Sequence, residues 1–233
     1  MTKLPEKWTR YKNIGERIEG TRFVPFKTPL NEDYFADKVL PITEKLTFNR
    51  LMHEFKAHKY DIGLVIDLTT SFKYYDPSGW SAFHVEYKKL RCDGSHVMER
   101  RAEFNKIVDD YLKKEPGLSY LTLLNIFNKT FKLIGVHCVH GLNRTGYLIC
   151  AYLVERMGWQ MKNAIEAFEK ARGHKIETSR EKLAELEDHL LEMSSSFSTR
   201  FVPFLWNPKH FHSLLILNYF LLTNVLEFKK RSN

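Results

Sequence analysis

The apolar positions of the chain follow two different periods, and the changes between them mark its elements. Residues 62–68, Ile-Gly-Leu-Val-Ile-Asp-Leu, form a short and nearly continuous apolar run. That is the pattern of a strand buried on both faces of a sheet. Residues 132–137 read as a second buried strand, 21–26 as an early extended segment, and 83–90, which alternates loosely, as a further strand. Helical periods lie between them. Residues 42–58 carry Leu46, Leu51, Met52 and Phe55, and residues 99–114 carry Phe104, Ile107, Val108 and Leu112. In 161–172, Met161, Ala164, Ile165 and Phe168 fall at i, i+3, i+4 and i+7, and Gly173 stands where a C-terminal cap glycine belongs. Residues 145–157 are apolar almost all round, which predicts a central buried helix. Apolar strands alternating with helices predict an α/β fold, a central and largely parallel sheet flanked by helices.

Two stretches break this rhythm. Residues 118–131 (LSYLTLLNIFNKTF) are an apolar block between Pro116-Gly117 and the strand that starts at Lys132. A helix normally returns to the next parallel strand through about 2–6 residues, so this block reads as an insertion whose removal the fold is expected to tolerate. The second stretch follows Ser194-Ser195-Ser196. Its residues 211–228 are mostly apolar and precede Lys229-Lys230-Arg231. A membrane helix needs about 20 predominantly apolar residues. This run is slightly short and holds Asn218 and Asn224, so a packed helix or a loose appendage is expected in preference to a membrane anchor. Residues 1–193 are therefore expected to form one domain, with 118–131 as an atypical insertion and 194–233 as an atypical apolar and basic tail.

Composition narrows the setting. The chain has 233 residues, 43% hydrophobic and 27% charged, which is globular and sufficient for one core. A net charge of +8 favours polyanionic partners, although surface lysine alone gives the same number. The three cysteines, Cys92, Cys138 and Cys150, are too few and odd in number for a disulfide scaffold. The polar first residues are unlike a signal peptide. A reducing compartment is expected.

The chemistry is concentrated in His137-Cys138-Val139-His140-Gly141-Leu142-Asn143-Arg144-Thr145-Gly146, between the second buried strand and the buried helix. This fits the signature HC-x5-R-[ST]. A cysteine at the mouth of a loop that opens a helix is surrounded by amide N–H groups and the positive helix end, which lowers its pKa and activates it. The same amides cradle a phosphate dianion. On this reading Cys138 is the nucleophile, and Val139, His140, Gly141, Leu142, Asn143 and Arg144 bind phosphate. Arg144 adds a planar fork for two phosphate oxygens, and Thr145 helps the sulfur to leave. The cycle passes through a phospho-cysteine that water hydrolyses, and it requires no metal or other cofactor. Of the remaining candidates, His137 either orients the loop or is a satisfied core histidine. Cys150 reads as core. Cys92 is either a redox partner of Cys138 or an inert thiol, with the inert reading preferred.

The loop resembles the HCTHGxNRTG of the RNA 5′-triphosphatase branch of the cysteine-dependent, dual-specificity-like phosphatases. That branch joins the triphosphatase domain of metazoan capping enzymes with stand-alone RNA/RNP-complex-interacting phosphatases, and the stand-alone group is the more similar. Leu4-Pro5-Glu6-Lys7-Trp8 with Gly20-Thr21-Arg22-Phe23-Val24-Pro25-Phe26-Lys27, Asp67-Leu68-Thr69 with Tyr74-Tyr75, and Ala171-Arg172-Gly173-His174 extend the resemblance. It spans roughly residues 4–177, the block 118–131 excepted. It implies a three-layer protein-tyrosine-phosphatase-like fold. It implies 5′-triphosphorylated RNA as substrate, losing its γ- and then its β-phosphate. It also implies contacts with RNA-processing or ribonucleoprotein proteins, and a monomer in nucleus or cytoplasm that is neither secreted nor membrane-bound. Asp67 matches a family aspartate that braces the site, with a turn-capping role as the alternative. Val139 departs from the family threonine, and Glu177-Thr178-Ser179-Arg180 departs from its ERQxY, which leaves the handling of the attacking water open.

Leaving-group chemistry bears on the substrate. Phosphotyrosine expels a phenolate of pKa about 10, whereas a phosphoanhydride expels a phosphate whose last pKa is about 6 and needs little protonation. Asp93, before Gly94, is the one candidate general acid in its loop, and a turn aspartate is the alternative. Lys88, Lys89, Arg91, Arg100, Arg101, Arg172 and Lys175 either line an RNA path or form solvated faces. A dual-specificity protein phosphatase is the first alternative function. A non-catalytic RNA 5′-end binder is the second, should the insertion or the tail disable the site. Capping in cis is excluded by the lack of a Lys-x-Asp-Gly motif, since Arg91 precedes Cys92-Asp93-Gly94.

Overall fold

The computed structural model describes residues 2–115 and 132–198. The insertion at 118–131 and the tail segment 211–228 lie outside the described residues. Contacts divide the chain into Met1–Glu187 and Asp188–Asn233, and of the second unit only residues 188–198, within one helix, are described.

Four strands, β1 (Phe23–Lys27), β2 (Ile62–Asp67), β3 (Glu86–Lys89) and β4 (Leu133–Cys138), form a sheet of order β1-β4-β2-β3. Every pairing is parallel, as the alternation of strands and helices predicts. The inner strands β2 and β4, and the edge strand β1, are buried along their whole length. This explains why β2 and β4 read as continuous apolar runs instead of alternating ones. The edge strand β3 carries Glu86, Lys88 and Lys89 and is only partly buried, the charged composition that protects an open edge. It is shorter than the strand expected over 83–90.

The helices are α1 (Phe48–Ala57), the single turn α2 (Gly79–Ala82), α3 (Arg101–Lys114), α4 (Asn143–Met157), α5 (Met161–Arg172) and α6 (Arg180–Ser198). The helix expected over 42–58 is broken. Residues Ile42–Glu44 form a separate 3-10 turn, and Thr47 starts α1 by accepting the Arg50 amide with its hydroxyl. A threonine that satisfies an orphan amide makes a better start than interior. The buried stripe of α3 is Phe104, Asn105, Val108 and Tyr111, with Ile107 and Leu112 half-buried. Asn105 occupies an inward position because its Nδ2 donates to Glu155 Oε2 at 2.6 Å. Helix α4 is buried on every face from Thr145 to Leu153, as its composition predicts. Gly173 caps α5 with φ 72°.

These elements make three layers. Phe23 of β1 stacks on Phe104 of α3 and meets Tyr152 of α4 edge-on, which seats α3 and α4 on one face of the sheet. Val24, Phe26 and Val65 pack on the other face with Leu51 and Phe55 of α1, Trp8 and Trp80. Burying each such Leu or Phe contributes roughly 1.5–3 kcal/mol. The register sets Lys27 beside Cys138, and Asp67 beside both His137 and Lys89. All four strands thus deliver their last residues to one edge, the place where open parallel sheets bind ligands. Among the described residues, no helix is long and apolar enough to cross a membrane.

Candidate active site

Strand β4 ends at Cys138, and the chain curls through residues 139–142 into α4. The polar groups of this turn divide by direction. Its carbonyls are tied from behind. Thr28 N–H donates to Cys138 O and Val139 O at 3.1 and 3.2 Å. Arg172 donates from Nη2 to His140 O and from Nε to Gly141 O, both at 2.9 Å. Gly146 N–H takes Leu142 O at 2.6 Å. The amides of Val139, His140, Gly141, Asn143 and Arg144 have no acceptor among the described residues. A ring of unpaired donors at a helix start is an anion cradle. Gly141 makes the turn possible. Its φ is +63°, and a Cβ there would stand 2.0 Å from Phe26 O.

Cys138 is 3% exposed at the base of a cleft of about 420 Å³ lined by Thr70, Asp93, Gly94, His140, Asn143, Arg144, Thr178 and Ser179. Burial alone would raise its thiol. The Arg144 guanidinium, the Thr145 hydroxyl, and the Thr145 and Leu142 amides outweigh burial and hold it below the ordinary value. The buried Thr145 hydroxyl has no partner other than the Cys138 sulfur among the described residues. Arg144 rests with Nη1 donating to Cys92 O at 2.8 Å and, more weakly, to Leu68 O at 3.5 Å.

The structure thus brings Cys138, Arg144, Thr145 and the amides of residues 139–144 into one cleft. Side-chain contributions differ from residue to residue. Leu142 is buried, and Val139 packs against the aromatic core, so both face the cleft through their backbone. His140 is tethered through Nε2 to Glu6 O at 2.7 Å, and burial pushes its pKa down. Asn143 Oδ1 accepts the Glu177 and Thr178 amides at 2.8 and 3.0 Å, fixing the segment that departs from the family pattern against the loop.

Asp67, the last residue of β2, is 2% exposed. Its carboxylate accepts from the Thr69 amide and hydroxyl, the Tyr87 hydroxyl and Lys89 Nζ, all within 2.9 Å. The carboxylate thus closes a turn onto Thr69 and ties the end of β2 to Tyr87 and Lys89 of β3. Burial opposes the charged form of Asp67, but His137 and Lys89 hold the carboxyl below its usual value. Burial also pushes His137 towards neutral imidazole, so Lys89 is the cation that matters. His137 is buried with Nε2 3.0 Å from the Tyr75 hydroxyl. It is a core histidine in a polar chain that ends at Asp67.

Asp93 reaches the cleft rim but is 65% exposed and accepts the Ser95 amide at 3.1 Å. That bond holds its pKa below the ordinary aspartate value.

These features place a thiol of lowered pKa among amides that have no acceptor among the described residues. A model of the dual specificity phosphatase catalytic domain matches residues 47–189. The chain belongs to the dual specificity phosphatase family. It is 41% identical over 175 residues to the Caenorhabditis elegans RNA/RNP complex-1-interacting phosphatase homolog, covering 75% of this chain and 71% of that one. It is 38% identical over 176 residues to the putative tyrosine-protein phosphatase 1 of Orgyia pseudotsugata multicapsid polyhedrosis virus, covering 75% of this chain and 71% of the viral one. The human RNA/RNP complex-1-interacting phosphatase is 37% identical over 176 residues, and the match spans 75% of this chain but 49% of the human one. The phosphatase groups with the stand-alone RNA/RNP-complex-interacting branch that its loop resembles.

Two buried cations of this phosphatase are absent from a motif-based reading of the site. Arg172, counted above among residues that line an RNA path or a solvated face, is 0% exposed. Its Nη2 also donates to Lys12 O at 2.7 Å, so it clamps the loop to the N-terminal segment. Lys27, 1% exposed, donates to Trp8 O and Tyr11 O and stands 3.7 Å from the Trp8 ring centroid. The signal for Lys27 was available, since it is the one charged residue of an apolar strand. Burial pushes the thiol of Cys92 up to about 11 and that of Cys150 higher still, which fits the inert reading of both.

Proposed function

We propose that this phosphatase removes the γ-phosphate, and then the β-phosphate, from 5′-triphosphorylated RNA without metal. One observation carries the preference for an anhydride. Asp93 is the only carboxylate among the residues lining the cleft, and it is exposed with a lowered pKa. A general acid needs the opposite, a carboxyl still protonated at neutral pH. A site lacking one suits a leaving group that departs as a stable phosphate anion. The names of relatives 37–41% identical to this chain, which join a phosphatase to an RNA/RNP complex, support the same reading.

In this reaction the Cys138 thiolate attacks the γ-phosphorus in line. An S–P bond forms, the bridging P–O bond breaks, and the electron pair leaves on the β-phosphate. The amides of residues 139–144 and the Arg144 fork hold the equatorial oxygens through the transition state. Water then displaces the sulfur, releasing inorganic phosphate, while the Thr145 hydroxyl donates to the returning thiolate. Asp67 and Lys89 tie the ends of β2 and β3 together. Residues 1–193 are the proposed domain for this activity, in nucleus or cytoplasm.

The family description and the viral relative's name favour a second reading, a protein phosphatase acting on phosphotyrosine. The test is release of label from γ- and β-labelled triphosphate RNA in EDTA, beside a phosphotyrosine peptide. RNA turnover in EDTA that is lost in Cys138→Ser supports the proposal. Turnover that requires added magnesium or manganese, or a peptide rate equal to the RNA rate, overturns it.

A further inference from the structure

Among the described residues, five large apolar side chains stand in solvent: Val39, Ile42, Phe72, Phe83 and Met157. Phe72 belongs to the segment that walls the cleft. Thr70 lines the cleft, and Phe72 follows two residues later, within about 7 Å along the chain. The segment between them is held firmly. Thr69 bonds Asp67 through its amide and its hydroxyl. Lys89 Nζ donates to Thr69 Oγ1 and Ser71 O at 2.6 and 2.8 Å. The ring that follows is half exposed, and two cations stand over it. Lys89 Nζ is 4.7 Å and the Arg91 guanidinium carbon 5.6 Å from its centroid. Arg91 adjoins Cys92, whose carbonyl anchors Arg144. Lys73, the next residue, is exposed.

We propose that Phe72 is the stacking platform for the first base of the RNA, with Arg91 and Lys73 attracting the phosphates that follow it. The proposal rests on the reading of the site as an RNA 5′-phosphatase and names how the RNA beyond its triphosphate is held. With the γ-phosphate in the cradle, the β- and α-phosphates and the ribose carry the first base out of the cleft. A base platform therefore belongs near the rim, and Phe72 is an exposed aromatic ring two residues from the cleft-lining Thr70. Every base offers a π-face, so stacking is tolerant of sequence, and adjacent arginine and lysine strengthen it while drawing in the backbone. A phosphotyrosine substrate would instead put its own ring inside the cleft, with no need for one on the rim.

The experiment compares the full chain with Phe72→Ala and Phe72→Trp on three substrates: a triphosphorylated RNA dodecamer, inorganic tripolyphosphate and a phosphotyrosine peptide. Tripolyphosphate has the same anhydride and no base. The expected result is a fall in kcat/KM of about 5- to 100-fold for Phe72→Ala on RNA, carried by KM, as loss of one base–aromatic stack implies. Phe72→Trp restores it, and the ratio of RNA to tripolyphosphate turnover drops by the same factor in the alanine variant. Equal losses on RNA and tripolyphosphate would show a structural role, and an unchanged RNA rate would show no role; either overturns the platform. A loss confined to the peptide overturns it in favour of a protein partner. If the unaltered chain cleaves tripolyphosphate and peptide but not triphosphate RNA, the proposed function fails, and the platform with it.

Discussion

Two loops border the cleft, and they are built in opposite ways. Loop 138–144 has its carbonyls tied to Thr28, Arg172 and Gly146 and its amides left open in front. Loop 91–96 points its carboxylate outward. Asp93 accepts the amide of its own turn at Ser95, while Lys182 Nζ holds Gly94 O and Ser95 O from an exposed position. Donors aimed at developing charge help catalysis only if they need no reorganisation at the moment of reaction. The first loop meets that condition through buried partners. The second is a solvated turn whose acid is held ionised. The first loop is thus held from behind with its amides open, and the second leaves its carboxylate in solvent.

The strongest way to break this contrast is Gly141→Ala. The left-handed φ and the 2.0 Å approach to Phe26 O leave no room for a methyl group beside backbone that β1 holds in place. The variant should lose about 3 kcal/mol or more of stability and all measurable phosphatase activity, seen by denaturant melts and by turnover of a small aryl phosphate. Gly94→Ala in the other loop, where an added Cβ meets nothing within 4 Å, should change neither.

Arg172→Met comes next. Burial lowers the Arg172 pKa to about 10, so it is still cationic at neutral pH, and the Cys138 thiolate attracts it. That attraction is mutual. Removing it leaves three carbonyls unpaired, which should cost about 3 kcal/mol, and lets the cradle shift, a loss of about 100-fold in kcat. The thiolate is the reactive form, and its pKa is held down in the intact loop. The acid limb of kcat/KM should therefore move to higher pH in the variant. A lower rate with an unmoved acid limb would mean that Arg172 only supports the fold.

Much of this was legible before any coordinates. The switch of period at residues 62–68 and 132–137 located the inner strands, because strands buried on both faces lose their alternation. The motif placed Cys138 and Arg144 at the junction of strand and helix, and the structure has them as the last residue of β4 and the second of α4. The composition of 145–157 announced its burial. The helix over 42–58 failed because a periodic pattern cannot show that Thr47 takes the Arg50 amide. The α3 stripe slipped because the Nδ2 of Asn105, polar in the sequence, is bonded by Glu155 fifty residues away. The role of Arg172 was hidden for the same reason. A buried arginine and a solvated one have the same letter, and the difference lies in carbonyls brought to it by tertiary structure.

Lys27 offers a milder test of the loop's rear wall. Burial first, and then Arg172, lower its pKa to about 8, against which Glu54 and Glu44 act weakly. The unfolded chain holds that proton more tightly, so stability should rise with pH between about 8 and 10, as the penalty for a buried charge is relieved. The effect is about 2 kcal/mol by that linkage. Denaturant midpoints of the native chain should climb over this range relative to Lys27→Met, which lacks the titration. Parallel pH profiles would show that Lys27 stays charged.

The smallest expected effect is the sharpest test of the comparison between the two loops. Asp93→Asn removes a carboxylate that is exposed and already ionised at neutral pH, its pKa lowered first by the Ser95 amide, which outweighs the lesser raising by burial. Asparagine can still accept that amide, so the turn should persist. If the leaving group departs as phosphate without help, kcat on triphosphate RNA should change by less than about 3-fold, well below the 10²–10⁴ typical of a lost general acid. The basic limb of the pH–rate profile should also stay where it is. A phosphotyrosine peptide, whose phenolate needs a proton, should lose more. A loss of about a thousandfold on RNA, with the basic limb abolished, would make Asp93 a true proton donor whose pKa rises only when substrate closes over it. The two loops would then be partners in one mechanism, one rigid before binding and the other completed by it.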